Sequence, residues 1–378
     1  MIRLAYLIDT ISCNTSGTEK QLLEIIERID KKKFIPHLVC LRESDWMREH
    51  SLPCPHTVLA YEGLLKMSLP RVVNKLRRVI VDQKIQLAQT FFEDSIFVAW
   101  LATGLGRKNV VLLSSRRDMG LGQGNQPWYH HLFGMLLPFV NKSFDGILAN
   151  SCRVREYVAK REKTTQKKIE VVYNGVSLPK EADRIPQIFV DNPSDIWVVI
   201  VASLTPVKRH DLLVKAMVNL AGRINRKKIK VLILGKGGQQ EQLITLTRQE
   251  NVQDLFLFEG AVHNVTDYLQ YCDIGVLCSD SEGLSNAVLE YMACGLPVIA
   301  TAVGGNIELV TNNGICVPVN APQMLADALY ELIVDQQKRK QMGLMSRKKV
   351  EEHFSWQRSM QHLEKYYEEK ISDKGIGT

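Results

Sequence analysis

The stretch that decides the fold is residues 279–308, SDSEGLSNAVLEYMACGLPVIATAVGGNIE. The short apolar segment before it, Ile274–Cys278, is predicted to be a buried strand. Ser285 or Asn286 can cap the helix that follows, because either side chain accepts hydrogen bonds from the N–H groups of a first helical turn. Val298–Ala300 is predicted to be the next buried strand. A strand, a helix and a strand in this order are typical of a parallel α/β sheet.

The loop that leads into this helix has the features of a site for a charged ligand with hydroxyl groups. Gly283 lets a ligand approach the backbone, and the helix N-terminus offers N–H groups and the positive end of its dipole. Glu282 would repel phosphate, but its carboxylate accepts hydrogen bonds from hydroxyl groups. Glu290 lies eight residues further, which is about 12 Å along a continuous helix. Two such carboxylates on either side of a charged bridge fit a nucleotide-sugar.

Glu282 and Glu290 form the pattern E-x7-E, and residues 281–301, SEGLSNAVLEYMACGLPVIAT, resemble the retaining glycosyltransferases of family four. The resemblance covers essentially the whole chain and is firmest in residues 197–356. Without it, the two glutamates would read as solvated residues of an ordinary strand–helix–strand unit. A similar string of some thirty residues favours the transferase.

The resemblance implies an α/β chain of GT-B architecture, in which two Rossmann-like, doubly wound parallel-sheet domains face each other across a cleft. Short apolar strands alternate with helical stretches in the first half, as this class requires. We expect an N-terminal acceptor-binding domain over residues 1–178, completed by a C-terminal helix over residues 356–378. Residues 179–194, polar with three prolines, are predicted to be a linker. Residues 195–355 then form the C-terminal, nucleotide-sugar-binding domain.

The resemblance also assigns residues to the donor diphosphate. The family pattern G-R-L-x-x-x-K-G, whose arginine and lysine neutralise the diphosphate, falls on residues 202–209. Lys208 matches the lysine, Ser203 stands in the arginine position, and Arg209 replaces the final glycine. One cation is therefore missing, and Arg209 and Arg117 are the candidates to compensate.

Further donor contacts are implied in both domains. The family's G-G-x-E loop, which faces the donor phosphates, is matched by Gly17 and Glu19, whereas Ser16 replaces the first glycine. Gly235 opens a second glycine-rich loop, and Val262 lies in the segment that resembles the base-reading part of the family. The expected donor-binding residues are Gly17, Glu19, Ser203, Lys208, Arg209, Gly235, Val262, Glu282, Gly283, Leu284, Ser285 and Glu290.

A pair of arginines ends one strand of the first half and suggests where the acceptor binds. Arg116 and Arg117, followed by Asp118, come at the carboxyl end of a predicted strand, where they could grip a phosphate or carboxylate. Many family members carry a His-Asp pair at about this place, so Arg117 stands in for the histidine and suggests an anionic acceptor. A surface salt bridge is the alternative interpretation. The expected catalytic residues are Glu282, Lys208 and Arg117.

Composition describes a globular chain of two domains. It has 378 residues, of which 45% are hydrophobic and 24% are charged. No apolar run is long enough to cross a bilayer, and the N-terminus reads as a first strand. The eight cysteines form no C-x2-C pair, so we expect a cytoplasmic protein with free thiols and no metal site.

The net charge of +7 is concentrated before residue 180. Such a bias can attract an anionic membrane surface or a nucleic acid, and no aromatic-studded nucleic-acid motif accompanies it. We therefore expect peripheral contact with the cytoplasmic face of the membrane, with an ordinary solvated face as the alternative. The basic clusters are residues 31–33, 77–78, 107–108, 116–117, 160–161 and 167–168.

The most apolar predicted helix covers residues 126–144, and Pro138 is expected to interrupt it. A helix that is apolar nearly all round is usually buried, so core packing is expected. A membrane-facing edge is the alternative, because aromatic and basic residues flank this segment.

Together these features predict a retaining, metal-independent glycosyltransferase that moves a sugar from a UDP-sugar to a hydroxyl of a glycan or lipid-linked acceptor in cell-envelope synthesis. No D-x-D stands at a strand end, so Lys208 and backbone N–H groups near Leu284 and Ser285 should balance the diphosphate. Glu290 is expected to bind the ribose and Glu282 the transferred sugar. A GT-B epimerase or phosphorylase and a non-enzymatic sugar-nucleotide-binding subunit are the alternatives; a nucleic-acid binder is the weakest.

Overall fold

The computed structural model describes residues 1–104, 109–119, 129–182, 184–193 and 196–376, and for residues 129–133 it describes the backbone alone. The described chain divides into two compact units. The first contains residues 1–104, 109–117, 129–175 and 357–376, and the second contains most of the rest, residues 176–356. The division falls at Gly175 and Val176, where the sequence predicted a boundary at residue 178.

The first unit is built on a parallel sheet that has seven strands among the described residues. The strands are β1 (Ile2–Ile8), β2 (Phe34–Cys40), β3 (His56–Val58), β4 (Leu87–Phe91), β5 (Val111–Arg116), β6 (Gly146–Ala149) and β7 (Ile169–Val171). Their spatial order is β3-β2-β1-β4-β5-β6-β7. The chain therefore winds outward from β1 in both directions, which confirms the predicted doubly wound class. The edge strand β3 was not predicted, because three residues are too few for a recognisable pattern.

Helices cover this sheet and bury its apolar residues. They are α1 (Gly17–Arg28), α2 (Asp45–Glu49), α3 (Leu69–Asp82), α4 (Glu93–Ala102), α5 (Tyr129–Val140) and α6 (Cys152–Arg161). In α3 the buried residues Val72, Leu76 and Val79 recur at helical spacing, so one face of the helix packs on the core. Burial of these side chains, and not intrinsic helix propensity, is the main source of stability for such a helix.

The last helix of the chain, α15 (Trp356–Asp373), returns to the first unit as the sequence predicted. Its Tyr367 ring packs edge-on against Phe34, with 6.0 Å between the ring centroids. Tyr366 lies directly over Gly146, where an added Cβ would come within 2.1 Å of the tyrosine hydroxyl. A side chain at the start of β6 would therefore require the Tyr366 ring to move.

Helix α5 differs from its prediction in two ways. Residues 126–128 of the predicted span lie outside the described residues, and Pro138 does not interrupt the helix, which continues to Val140. Proline has no backbone N–H, so the helix continues past Pro138 with one i→i−4 hydrogen bond fewer.

Among residues 134–140 of α5, whose side chains are described, the expected core packing holds for one face of the helix. Leu137 and Val140 are buried, whereas Met135 is 76% exposed and Phe139 is 59% exposed. Leu136 is also exposed. Within the described residues, no helix combines the length and the apolar character needed to cross a bilayer.

The second unit contains a parallel sheet with six strands among the described residues. The strands are β8 (Ile196–Val201), β9 (Ile229–Leu234), β10 (Phe256–Gly260), β11 (Ile274–Leu277), β12 (Val298–Thr301) and β13 (Gly314–Val317), in the order β10-β9-β8-β11-β12-β13. The helices are α7 (Gln187–Asp191), α8 (His210–Leu220), α9 (Gln240–Gln249), α10 (Val265–Leu269), α11 (Asn286–Ala293), α12 (Asn306–Leu309), α13 (Pro322–Val334) and α14 (Gln336–Lys349). The strand–helix–strand unit predicted from residues 279–308 is present as β11, α11 and β12.

Part of the predicted linker is ordered against the second unit. Residues 187–191 form α7, and its Phe189 ring lies 4.6 Å from the Trp197 ring and 5.4 Å from the Tyr271 ring, centroid to centroid. An aromatic cluster of this kind anchors the segment. The sequence did not predict α7, because residues 179–194 are polar and contain three prolines.

Candidate active site

The predicted catalytic glutamate lies at the carboxyl edge of the second sheet. β8 and β11 are neighbours in this sheet, and the strand order reverses between them. Open α/β sheets bind ligands at such a switch point. The loop after β8 carries Lys208 and the loop after β11 carries Glu282, and the Lys208 Nζ atom lies 2.6 Å from Glu282 Oε1. The fold thus joins two predicted catalytic residues that are 74 positions apart.

A serine that the sequence did not single out completes this contact. The Ser279 hydroxyl donates a hydrogen bond of 2.6 Å to Glu282 Oε1, the same oxygen that Lys208 contacts. Among the described residues, none forms a hydrogen bond with Oε2 of this carboxylate. The Glu282 side chain is 11% exposed, so this oxygen can accept a hydrogen bond from a ligand hydroxyl. The S-x-x-E spacing of Ser279 and Glu282 is the sequence signal that could have predicted this contact.

Helix α11 begins next to this carboxylate. Ser285 is its N-cap, and its hydroxyl accepts a hydrogen bond from the Val288 N–H group, which confirms one of the two predicted caps. Glu290 lies on the helix and is buried, but Glu282 lies in the loop before it. The distance of about 12 Å expected along a continuous helix therefore does not apply to this pair. Gly283 and Leu284 are buried between the carboxylate and the cap.

Arg209 uses its charge within the protein. Its backbone has φ 50° and ψ 44°, a left-handed conformation that explains why the family pattern has glycine there. Its guanidinium pairs with Asp211 at 2.9 Å and with Asp280 at 3.1 Å. The hydrogen bond with Asp211 raises the pKa of this arginine above its ordinary value. A contact of Arg209 with the donor remains a prediction, and Lys208 is the better-placed cation of this loop.

The glycine-rich loop after β9 packs against the loop after β8. A Cβ at Gly235 would lie 2.0 Å from the Ala202 carbonyl oxygen, and one at Gly237 would lie 2.3 Å from the Leu204 carbonyl oxygen. These glycines are needed for close backbone packing. Ser203, between the two contacts, is exposed, and Val262 is half-buried.

In the first unit, the predicted donor residue Glu19 holds its own loop in place. Its carboxylate accepts hydrogen bonds from the Ser12 and Cys13 N–H groups at 2.7 and 3.0 Å, and from the Ser12 hydroxyl. Gly17 is the first residue of α1. Ser16 has φ −64°, an ordinary value for a residue with a side chain, so the loss of the family glycine costs the backbone nothing here.

Arg116 forms an ion pair inside the first unit. Its Nε atom lies 2.9 Å from Glu162 Oε1, and its Nη2 atom lies 2.9 Å from Glu162 Oε2. Both side chains are about nine-tenths buried, with 11% and 9% exposure. Burial alone would raise the pKa of Glu162, but Arg116 brings the net pKa below its ordinary value. This is a salt bridge, as the alternative interpretation of the sequence had it, although a largely buried one.

Arg117 turns into the same unit. Its Nη1 atom donates to Asn174 Oδ1 at 2.8 Å, and its guanidinium lies 5.3 Å from the centre of the Phe91 ring. Burial lowers the pKa of Arg117 to about 10. It lines a cavity with an empty volume of about 330 Å³, counting the solvent at its mouth, together with Gln21 and Asn150.

The next residue, Asp118, is exposed. Acceptor binding by Arg116, Arg117 and Asp118 therefore remains a prediction. Of the two arginines, Arg117 is the one that has no carboxylate partner within the residues that the structure describes. Among the described residues, no group of three or more histidine, cysteine, aspartate or glutamate side chains could hold a metal ion.

Comparison with known families divides the chain as the fold does. Residues 15–179 match the family described as Glycosyltransferase Family 4, and residues 181–349 match Glycosyl transferases group 1. The chain is 26% identical over 217 residues to the N-acetyl-alpha-D-glucosaminyl L-malate synthase of Bacillus anthracis, a match that covers 56% of each chain.

A second relative is matched over most of its length. This is the N-acetylgalactosamine-N,N'-diacetylbacillosaminyl-diphospho-undecaprenol 4-alpha-N-acetylgalactosaminyltransferase of Campylobacter jejuni, with 24% identity over 86% of this chain and 89% of the relative.

Solved structures with the same fold come from proteins that are distant in sequence. Anabaena Alr3699/HepE in complex with UDP has a TM-score of 0.82 at 18% identity, with coverage of 97% of this chain and 100% of the other. The sucrose-phosphate synthase of Thermosynechococcus elongatus has a TM-score of 0.83 at 18% identity, with coverage of 99% and 100%. These likenesses establish the predicted GT-B fold class, two Rossmann-like units each built on a parallel sheet.

Proposed function

The chain belongs to the glycosyltransferases, with a family 4 first half and a group 1 second half, and from this premise we propose that it is a retaining, metal-independent transferase of a sugar from a nucleoside diphosphate. The donor is a UDP-sugar and the acceptor is a hydroxyl of a glycan or a lipid-linked sugar. The observation that carries the proposal is Glu282, held through one oxygen by Lys208 and Ser279 beside the N-terminus of α11.

This arrangement suits the two ends of a nucleotide-sugar. Oε2 of Glu282 accepts a hydrogen bond from a hydroxyl of the sugar, and Glu290 on α11 binds the ribose. The positive end of the α11 dipole, backbone N–H groups near Leu284 and Ser285, and Lys208 stabilise the diphosphate. Because these groups carry the charge compensation, EDTA is expected to leave activity unchanged.

The choice of uridine and of the acceptor class rests on similar proteins. The Anabaena protein named above was crystallised with UDP and with UDP-glucose. The Campylobacter relative is named for a diphospho-undecaprenol acceptor. A Corynebacterium glutamicum relative, 33% identical over 41% of this chain, is named for a phosphatidylinositol monomannoside acceptor and for GDP-mannose as donor, so it supports the acceptor class and not the choice of uridine. A lipid-linked acceptor in cell-envelope polysaccharide or glycolipid synthesis is the role we propose.

In the proposed reaction, the acceptor hydroxyl attacks the anomeric carbon of the donor sugar on the face from which the diphosphate leaves. The new glycosidic bond forms as the bond to the diphosphate breaks, and the departing phosphate oxygen takes the proton of the hydroxyl. The anomeric configuration is therefore retained. No protein nucleophile is required, and Glu282 acts by holding the sugar in place.

Replacing Glu282 with alanine tests this proposal. Turnover should fall far more than the affinity for UDP, because the carboxylate contacts the sugar and not the nucleotide. Product from a panel of UDP-sugars and lipid-linked acceptors would be measured by mass spectrometry, its anomeric configuration by proton NMR, and UDP affinity by calorimetry. Equal losses of turnover and affinity would contradict the role of Glu282.

The same assay separates the other functions that the sequence allows. Release of free sugar or epimerised donor without an acceptor would indicate an epimerase, and dependence on inorganic phosphate would indicate a phosphorylase. Donor binding without product from any acceptor would indicate a non-enzymatic binding subunit.

We also propose that the first unit contacts an anionic membrane through α5, on the cytoplasmic face. Met135, Leu136 and Phe139 form an exposed apolar strip. The Phe139 ring lies 6.1 Å from the Trp100 ring, whose indole donates to the Ser143 hydroxyl, so the strip adjoins the turn that follows the helix.

Exposed lysines rim that turn. Lys142 and Lys167 are exposed, and the Lys168 ammonium donates to the Lys142 carbonyl at 3.2 Å. Apolar side chains beside lysines complement the interface of an anionic bilayer. The predicted basic residues 107–108 lie outside the described residues.

Vesicle sedimentation tests the membrane contact. The protein should bind vesicles that contain phosphatidylglycerol and not pure phosphatidylcholine, and a variant with Met135→Ser and Phe139→Ser should lose binding. Leu344→Ser is the matched control, because Leu344 is 73% exposed in the second unit. Equal binding of all three proteins would contradict the proposal.

A further inference from the structure

The end of β12 lies directly behind the loop that carries Glu282. β11 and β12 are neighbouring parallel strands, with Leu277 opposite Ala300. The loops that follow the two strands therefore leave the sheet side by side. The Thr301 hydroxyl donates a hydrogen bond of 2.6 Å to the Ser279 carbonyl. Thr301 and Ser279 are both fully buried, so no solvent competes with this bond.

The next residues hold the backbone on both sides of Glu282. Gly304 has φ +47°, and a Cβ placed on it would lie 1.7 Å from the Glu282 carbonyl oxygen. The Gly305 N–H group donates to the Gly283 carbonyl at 2.7 Å. Any side chain at residue 304 would therefore displace the backbone of the glutamate itself.

The side chain of Glu282 is held by one rigid contact and one flexible contact. Ser279 is buried and anchored by Thr301, and its hydroxyl binds Oε1. Lys208 contacts the same oxygen from a long side chain that is 24% exposed. A lysine side chain has many more rotamers to lose than a serine side chain, so the buried Ser279 is the more rigid of the two contacts.

We propose that Ser279, Thr301 and Gly304 are positioning residues, which fix the Glu282 carboxylate so that its Oε2 meets a hydroxyl of the donor sugar. This inference rests on the proposed function and deepens it. Thr301 fixes Ser279, Ser279 fixes Oε1, and the turn at Gly304 fixes the main chain, so the carboxylate is preorganised before the donor binds. A misplacement of about 1 Å in such a group can lower turnover by about 100-fold.

Four variants and one control test the proposal. Ser279→Ala removes the contact with Oε1, Thr301→Val removes the buried hydroxyl at nearly constant volume, and Thr301→Ser keeps it. Gly304→Ala pushes a methyl group against the Glu282 backbone. Gly222→Ala is the control, because a Cβ at that exposed glycine meets no atom within 4 Å.

The measurements are turnover, the affinities for UDP and for UDP-sugars, and the melting temperature. Ser279→Ala and Thr301→Val should lower turnover about 10-fold or more and lose the difference in affinity between the UDP-sugar and UDP, while UDP alone binds within about 2-fold of the wild type. Thr301→Ser should restore turnover to near the wild-type value. A purely structural role would lower the melting temperature without changing the ratio of the two affinities.

The outcomes distinguish this inference from the proposed function. An active wild type whose Ser279→Ala and Thr301→Val variants keep full turnover, or lose turnover and UDP affinity in parallel, would overturn the positioning role alone. A wild type that binds no nucleotide would overturn both. If Gly304→Ala does not fold, the serine and threonine variants decide the question.

Discussion

Charged residues at the carboxyl edges of the two sheets differ in the partners that they have. In the second unit, Lys208 is 24% exposed and contacts one oxygen of the Glu282 carboxylate, whose other oxygen has no hydrogen-bond partner among the described residues. In the first unit, Glu19 is bound by its own loop, and Arg116 is paired with Glu162. Oε2 of Glu282 is thus left for a ligand at the second edge, whereas Glu19 and Arg116 at the first edge support the fold.

This difference indicates that a residue of a family motif can serve either ligand binding or the stability of the fold. A residue whose partners are exposed or incomplete should affect function when it is replaced, and a residue whose partners are buried and complete should affect stability. The two edges allow this rule to be tested on residues of the same charge in one protein.

The largest effect is expected from Lys208→Met. Turnover should fall by at least about 100-fold and UDP affinity should also fall, because a cation beside the diphosphate is lost. The free energy of unfolding should fall by about 1 kcal/mol, because Lys208 is 24% exposed and the Ser279 hydroxyl still binds the Glu282 carboxylate in the variant. Steady-state kinetics and urea unfolding measure the two quantities. A large loss of stability with unchanged kinetics would remove the distinction between the edges.

Arg116→Met should show the opposite behaviour. Removing one partner of a largely buried pair leaves Glu162 uncompensated, so we expect a loss of about 3 kcal/mol in the free energy of unfolding. The pKa of Glu162 is lowered in the folded protein from an ordinary value of 4.5, so the pair stabilises the fold above that pH and the contribution is lost as the pH falls.

Urea unfolding at pH 7 and at pH 4 checks the Arg116 prediction. Arg153→Met is the control, because Arg153 pairs with Glu156 on an exposed helix face. Transfer activity of folded Arg116→Met should match the wild type, and a selective loss of acceptor affinity would instead return Arg116 to the acceptor site.

His210, two residues after Lys208, should make the free energy of unfolding depend on pH. Both ring nitrogens are buried and have no hydrogen-bond partner in the described part of the chain, and burial lowers the pKa of His210 to about 4 from an ordinary 6.5. The ring is neutral when buried, so its contribution is present above pH 6.5 and is lost as the pH falls toward 4. Between pH 7 and pH 5 the wild type should lose about 2 kcal/mol more than His210→Leu does. Urea unfolding at both pH values measures this, and parallel losses would contradict it.

The smallest effect is expected from Glu19→Gln, which keeps the shape but removes the charge that two backbone N–H groups bind. The free energy of unfolding should fall by about 1 kcal/mol. Glu24→Gln on the same helix is the control, because Glu24 forms an exposed ion pair with Arg28, one helical turn away. If Glu19→Gln instead abolished UDP binding without a change in stability, the first edge would have to be grouped with the second.

The sequence predicted the fold class and the local structure around residues 279–308 well. The strand–helix–strand unit, its Ser285 cap, the doubly wound order and the returning C-terminal helix are all present. These features follow from local periodicity, from caps and from a long family string, all of which a single sequence carries.

Other features could not be predicted, because they depend on contacts between distant residues. Nothing near Arg116 in the sequence indicates Glu162, and nothing near Ser279 indicates Thr301. The exposed face of α5 was not predicted either, because apolar composition alone does not indicate which side of a helix packs against the protein.

The most direct test of the central claim is calorimetric titration of the wild type and of Lys208→Met with UDP, GDP, ADP and CDP, each with and without EDTA. The account predicts that UDP binds the wild type with an affinity that EDTA does not change, and that Lys208→Met binds it at least about 10-fold more weakly. Binding of no nucleotide, or binding that EDTA abolishes, would contradict a metal-independent donor site at the carboxyl edge of the second sheet.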